Sequence, residues 1–173
     1  HPHASTRVFV TCELSTRLPP AALRHAHVLI HEPPAGVKSA LVACLRMLAQ
    51  RTPPAGPQER TRLYFLVSYL HAVAVERRRY VPLGWTSTYE FHDADFLAAL
   101  DVVDTWTAHA AGTKAHLDPA HLPWDAVRTL LKEYVYGAKL DHAPDRAMLD
   151  ALVDRLFVPA AFDDGFVLAP DDS

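Results

Sequence analysis

Glycine is scarce in this 173-residue chain, with six in all, and none opens a G-x-x-x-x-G-K-[ST] loop. That absence removes the backbone donors that cradle nucleotide phosphates. Cysteine is scarcer still: Cys12 and Cys44 form no C-x-x-C pair. Two thiols make no disulfide framework, and a reducing, intracellular setting fits them best. Positive charge is not in excess, since 17 Lys and Arg face 20 Asp and Glu for a net charge of −3. Nothing in that balance points to nucleic acid or to an anionic membrane. The longest apolar stretch, Leu63 to Val75, is broken by Ser68 and His71 and is too short to span a bilayer. No G-x-S-x-G elbow is present. No apolar strand ends in a carboxylate pair suited to Mg²⁺; Asp163-Asp164 follows Phe162 in the tail with no phosphate loop to serve. The chain opens His1-Pro2-His3 without an initiator methionine or a basic-then-apolar lead, and it is expected to be a piece of a longer polypeptide.

What is present is ordinary globular composition, 50% hydrophobic and 21% charged, enough for one packed domain. Val8-Phe9-Val10-Thr11-Cys12 and Val28-Leu29-Ile30 read as two short strands. Between them, Leu18-Pro19-Pro20-Ala21-Ala22-Leu23-Arg24 allows one short helix, with proline at a first helical position. The order strand, helix, strand suggests a βαβ unit. Two strands alone leave backbone groups unpaired, so their partners are expected outside the chain.

From Gly36 onward the periodicity is helical. Val37, Leu41, Cys44, Leu45 and Leu48 share a face. Thr52 to Pro57 is a breaker loop. A long helix is expected over Glu59–Tyr80, apolar on nearly every side, with Arg77, Arg78 and Arg79 at its negative end. A fourth helix spans about Ala94–Ala111, with Asp93 as N-cap and Phe96, Leu97, Leu100, Val103 and Trp106 inside. A fifth runs from Pro123 to Gly137 with Val127, Leu130, Leu131 and Tyr134 inward. A sixth starts at Pro144 and ends before Pro159, with Met148, Leu152, Val153 and Leu156 inward. The acidic tail after Phe162 reads as loose.

Histidine is the one abundant chemical group, with 11 residues. His25, His27 and His31 alternate around the second strand, but no cysteine or carboxylate cluster completes a tetrahedral metal set. They read as surface or satisfied core residues, as does His71 on the long helix. Trp85, Tyr89, Phe91, Trp106 and Trp124 fit helix packing and loop anchoring better than a ligand cage. No catalytic residue and no metal ligand is assigned. The Arg77-Arg78-Arg79 run reads as a solvated helix end rather than a phosphate site.

Ordered motifs along nearly the whole chain, about residues 7–168, resemble one family. They are Arg7-Val-Phe-Val-Thr, Leu18-Pro-Pro-Ala-Ala-Leu-Arg24, His31-Glu-Pro-Pro-Ala-Gly-Val-Lys38, Arg60-Thr-Arg-Leu-Tyr-Phe-Leu, Pro82-Leu-Gly-Trp85, Tyr89-Glu-Phe91, Leu122-Pro-Trp124 and Tyr136-Gly-Ala-Lys-Leu-Asp141. This set is similar to the end of the sixth AAA+ module of dynein heavy chains. Val103-Asp-Thr-Trp106 and Leu152-Val-Asp-Arg-Leu-Phe157 look like the cytoplasmic branch.

The resemblance implies a mostly α fold with a small β part. Residues 1–34 would be the terminal strands of an AAA+ α/β large subdomain, 35–160 a helical lid subdomain and 161–173 an acidic tail. It implies a non-catalytic structural segment of a motor ring, which closes the ring and relays ATP-driven change in minus-end-directed microtubule transport. No cofactor is implied for this chain, with ATP and Mg²⁺ held by other modules. The implied partners are neighbouring AAA+ modules of the same heavy chain, within a homodimeric parent that carries accessory chains and reaches microtubules, in cytoplasm and cytoskeleton. Arg24 becomes a candidate inter-module arginine, able in such rings to reach a neighbour's γ-phosphate. Lys139 and Arg146 become candidate sensor-like or interface residues. Trp85, Tyr89, Trp106 and Trp124 become fold anchors. Where the family usually reads Tyr-Gly-Gly-Arg-Val, Lys139 replaces arginine and loses the planar fork of donors that a clamp would use. A free-standing helical adaptor with the same fold is the alternative, separated by whether a start codon or long upstream coding sequence precedes His1.

Overall fold

A computed structural model describes residues 3, 5–12, 18–30, 32, 34–52 and 55–169. The chain divides into two units, residues 1–32 and 33–173. In the first, α1 (Pro20–Leu23) is a single turn with proline at its start and no buried residue. The strands expected at Val8–Cys12 and Val28–Ile30 are not formed; among the described residues no strand is present. The physical reason is the one that governs any isolated strand pair: ladder hydrogen bonds need a neighbour, and two short segments do not supply a sheet. Phe9 is 91% exposed and Leu29 94%. His31, the third of the alternating histidines, lies outside the described residues.

The second unit is helical. Its principal elements are α2 (Val37–Gln50), α3 (Arg60–Arg77), α4 (Asp93–Ala111), α5 (Trp124–Thr129) and α6 (Ala143–Leu156). α3 is the centre: Leu63, Leu66, Val67, Ser68, Leu70, Ala72 and Ala74 are fully buried, and Tyr64, His71 and Glu76 nearly so. Its lack of a polar face follows from its neighbours, since α2, α4 and α6 all pack on it. α2 is an outer helix. It buries only Ala40 and Cys44, and leaves Leu41, Leu45 and Leu48 half-exposed.

The expected fifth helix is three elements. α5 passes into a π-helical stretch, Leu130–Val135, and then a 3₁₀ turn, Gly137–Lys139. The backbone N–H of Tyr136 donates to Leu131 O at 3.1 Å, five residues back. The wider turn rotates the inward face by one residue. Tyr136 is therefore buried and Tyr134, expected inside, is 71% exposed. Smaller corrections have similar causes. α4 starts at Asp93, with His92 at the N-cap in place of Asp93. Leu97 and Met148 lie on the outer faces of α4 and α6, and Ala99 and Leu149 take the inner positions. The tail is not loose through residue 168: Phe166 and Leu168 pack on the core, and an Arg155 guanidinium N–H donates to Leu168 O.

Candidate functional site

One glycine and one buried carboxylate set the geometry around the expected anchors. Trp85 is fully buried, and its indole N–H donates to Ala74 O of α3 at 2.9 Å. The Arg77 guanidinium lies 5.1 Å above its ring and donates to Gly84 O at 2.6 Å. Gly84 fits between them because a Cβ there would sit 2.0 Å from Arg77 O. The tight turn is closed by Gly84 N–H donating to Tyr80 O at 2.6 Å.

Asp145, in the first turn of α6, collects the chain that follows Trp85. It accepts from Thr86 N–H at 3.1 Å, from Thr86 Oγ1 at 2.5 Å and from the Tyr89 hydroxyl at 2.8 Å. Burial alone would raise its carboxyl pKa. The donors from Thr86 and Tyr89 outweigh that and hold it below the ordinary carboxylate value. The Tyr89 phenol moves the opposite way, raised by burial and by Asp145. Tyr89 meets Trp85 edge-on at 6.2 Å, and Phe91 bridges Trp85 to Tyr136 at 5.8 and 5.9 Å.

Lys139 and Arg146 both serve the turn Gly137–Leu140. Lys139 Nζ donates to Asp95 Oδ2 at 2.6 Å and to Glu90 O at 2.9 Å. The same Asp95 oxygen accepts His92 N–H at 2.8 Å. Lys139 therefore ties the turn to the start of α4. Arg146 Nε donates to Leu140 O at 2.8 Å while its side chain lies at the surface. Behind this turn, buried His71 meets the Tyr136 hydroxyl at 3.1 Å, and desolvation pushes its pKa down to about 4. Trp124 is buried, donates to Pro119 O at 2.8 Å and contacts Phe162. Trp106 is only half-buried and packs at the core's margin beside His109. Arg24 caps α1 in the other unit, exposed, its N–H donating to Pro20 O.

Sequence reasoning missed several polar residues that hold this unit. Glu76 accepts Gly36 N–H at 2.9 Å and so fixes the start of α2. Asp104 pairs with Arg51 at 2.7 Å and Arg60 at 3.4 Å and accepts from Tyr64. Burial and that bond raise the Tyr64 pKa. Buried carboxylates on apolar helices carry no periodic signal, and only an Asp or Glu standing inside a hydrophobic face could have flagged them. Among the described residues no group of three or more His, Cys, Asp or Glu is placed to hold a metal ion. No helix among them is long and apolar enough to cross a membrane. What the geometry offers is a rigid helical body with pinned turns.

A family model described as "Dynein heavy chain AAA lid domain" matches residues 60–173. The chain belongs to that family. The match begins at the start of α3. The lid and the residues before it are together 40% identical, over 176 residues and 99% of the chain, to "Dynein heavy chain, cytoplasmic" of Caenorhabditis elegans. The protein of the same description from Dictyostelium discoideum is 40% identical over 169 residues, 98% of the chain. A flagellar inner-arm relative, "Dynein-1-alpha heavy chain, flagellar inner arm I1 complex" of Chlamydomonas reinhardtii, is 29% identical over 163 residues, covering 94% of this chain and 3% of its own length. The sequence is therefore more similar to these cytoplasmic heavy chains than to that flagellar one. This chain spans about 4% of the length of each of the two cytoplasmic relatives.

Proposed function

We propose that this chain is the end of the sixth AAA+ module of a cytoplasmic dynein heavy chain, a non-catalytic segment that closes the motor ring and relays ATP-driven change. The observation that carries this reading is the lid-family match over residues 60–173, on a unit with one continuous core. A close-packed body shifts as a unit, which is what relay between modules needs. Residues 1–34 are then the segment that would supply the terminal strands of the large subdomain once the rest of its sheet is present. Val8, Phe9, Val10, Leu29 and Ile30 are well exposed, as strands are when the sheet they complete lies in other polypeptide. Residues 35–160 are the lid and 161–173 its tail. Arg24 faces the neighbouring module's nucleotide, and Arg146 and Lys139 stabilise the lid turn at a module interface. ATP and Mg²⁺ belong to other modules. The parent is a homodimer with accessory chains that moves toward microtubule minus ends in the cytoplasm, on the cytoskeleton.

Sequencing the reading frame upstream of His1 tests this. A long open frame with several phosphate loops is expected. A start codon just before His1 would replace this reading with a free-standing helical adaptor, which the self-contained core of the second unit would also suit. The isolated chain is expected to bind no nucleotide in titration calorimetry; a low-micromolar ATP affinity would overturn the non-catalytic assignment.

A further inference from the structure

The turn between α3 and α4 presents apolar side chains outward from a rigid mount. Leu83 is 91% exposed, Tyr80 59% and Val81 42%. A single exposed leucine needs no explanation, but this one stands on a backbone held from four directions. Gly84 N–H bonds Tyr80 O, Arg77 bonds Gly84 O, Arg77 stacks on Trp85, and Trp85 bonds Ala74 O. The Tyr80 hydroxyl also donates to Glu76 at 3.3 Å. A backbone already fixed in place loses little conformational entropy on docking, which favours a binding hot spot on the side chains it carries. Beside it stand Arg78, half-buried, and Arg79, exposed.

We propose that Tyr80, Val81 and Leu83 form a docking knob that enters an apolar pocket rimmed by carboxylates, on heavy-chain polypeptide outside residues 1–173. The arginines supply the charge complement of that rim. The occupant is the same heavy chain because about 96% of a relative's length lies outside the region that this chain matches, and a tethered pocket meets the knob at high effective concentration. This inference rests on the motor-ring reading above and adds the surface and the partner's chemistry to it.

The test places the photocrosslinker p-benzoylphenylalanine at position 83 of the intact heavy chain, with position 98 on the exposed side of α4 as control. Crosslinked peptides are identified by mass spectrometry. The expected partner is a heavy-chain peptide outside residues 1–173, rich in Asp or Glu and apolar residues, captured from position 83 and not from 98. Arg78→Glu with Arg79→Glu should cut the yield about threefold at low salt, with hydrogen-exchange protection of α3 unchanged. No crosslink, a crosslink to a second copy or a separate polypeptide, or a yield indifferent to the charge reversal would overturn the proposal. A ring visible by electron microscopy but silent at position 83 sinks the knob alone. Absence of an upstream motor sequence sinks the motor-ring reading first.

Discussion

Gly84 and Asp145 show how single residues fix the loop that carries Trp85. Alanine at 84 puts a methyl 2.0 Å from the Arg77 carbonyl oxygen, and that oxygen is backbone. The helix end or the turn must move, and both are tied to Trp85. Gly84→Ala is expected to cost about 1–3 kcal/mol, read as a lower midpoint in chemical denaturation with an unchanged slope. Asp145→Ala removes the acceptor of three donors and leaves Thr86 N–H and the Tyr89 hydroxyl without it. The Tyr89 hydroxyl belongs to a buried side chain, and orphaning it costs about 1–3 kcal/mol, whereas the exposed Thr86 can turn to water. Asp145→Asn keeps the volume and one acceptor oxygen, so it should lose less than alanine does. Equal losses from the two would show that packing, not the carboxylate, matters there.

Between residues and the whole fold, the helices differ in how they are held. α2 contributes only two buried side chains, and its first turn is fixed by Glu76 on another helix. Glu76→Ala should therefore raise amide exchange in residues 36–40 at least about fivefold, corresponding to about 1 kcal/mol, while α6 stays protected. Uniform loss of protection would mean that Glu76 supports the whole core instead. The π stretch makes a sharper case. A Cβ at Gly137 would lie 1.5 Å from Lys132 O, so Gly137→Ala is expected to straighten or unfold the α5 end and to expose Tyr136. Near-ultraviolet circular dichroism reports that change.

These elements also mark what the sequence could and could not say. Helix existence followed from apolar spacing, and α3's burial followed from its apolar girth. The π turn has no periodic signature, because it arises where one residue is accommodated in a ladder, so Tyr134 was placed inward in error. That Trp85, Tyr89 and Trp124 belong to the core was legible from aromatic bulk, and all three are buried. Their partner Asp145 was not, since a lone acidic residue after proline looks like ordinary first-turn helix chemistry. The short strands were legible as β-forming composition, but composition does not supply the neighbour that a ladder requires.

At the scale of the molecule, one buried imidazole should govern stability in mild acid. His71 sits in the core beside Phe96 and Tyr136, 4% exposed, with its pKa lowered from 6.5 to about 4 by desolvation. The neutral ring is the form that the fold accommodates. Protonation is easier in the unfolded chain, so the unfolded state binds more protons between those two values. Stability from His71 is thus complete above pH 6.5 and is lost as pH falls toward 4. The full shift corresponds to about 3 kcal/mol, with about 2 kcal/mol gone by pH 4.5. The carboxylates act lower down. Glu59 and Asp145 have lowered pKa values, so their contributions hold above 4.5 and 3.8 and fade only as pH drops through their folded values. Those two carboxylates add no loss between pH 7 and 4.5, so the difference between wild type and a His71 variant across that window reports the histidine. The wild-type chain should weaken steadily across that window, and His71→Asn, which keeps a polar group near the Tyr136 hydroxyl, should be less stable at pH 7 yet nearly flat. A wild-type profile that is itself flat would mean that the ring reaches water and does not stand where the core places it.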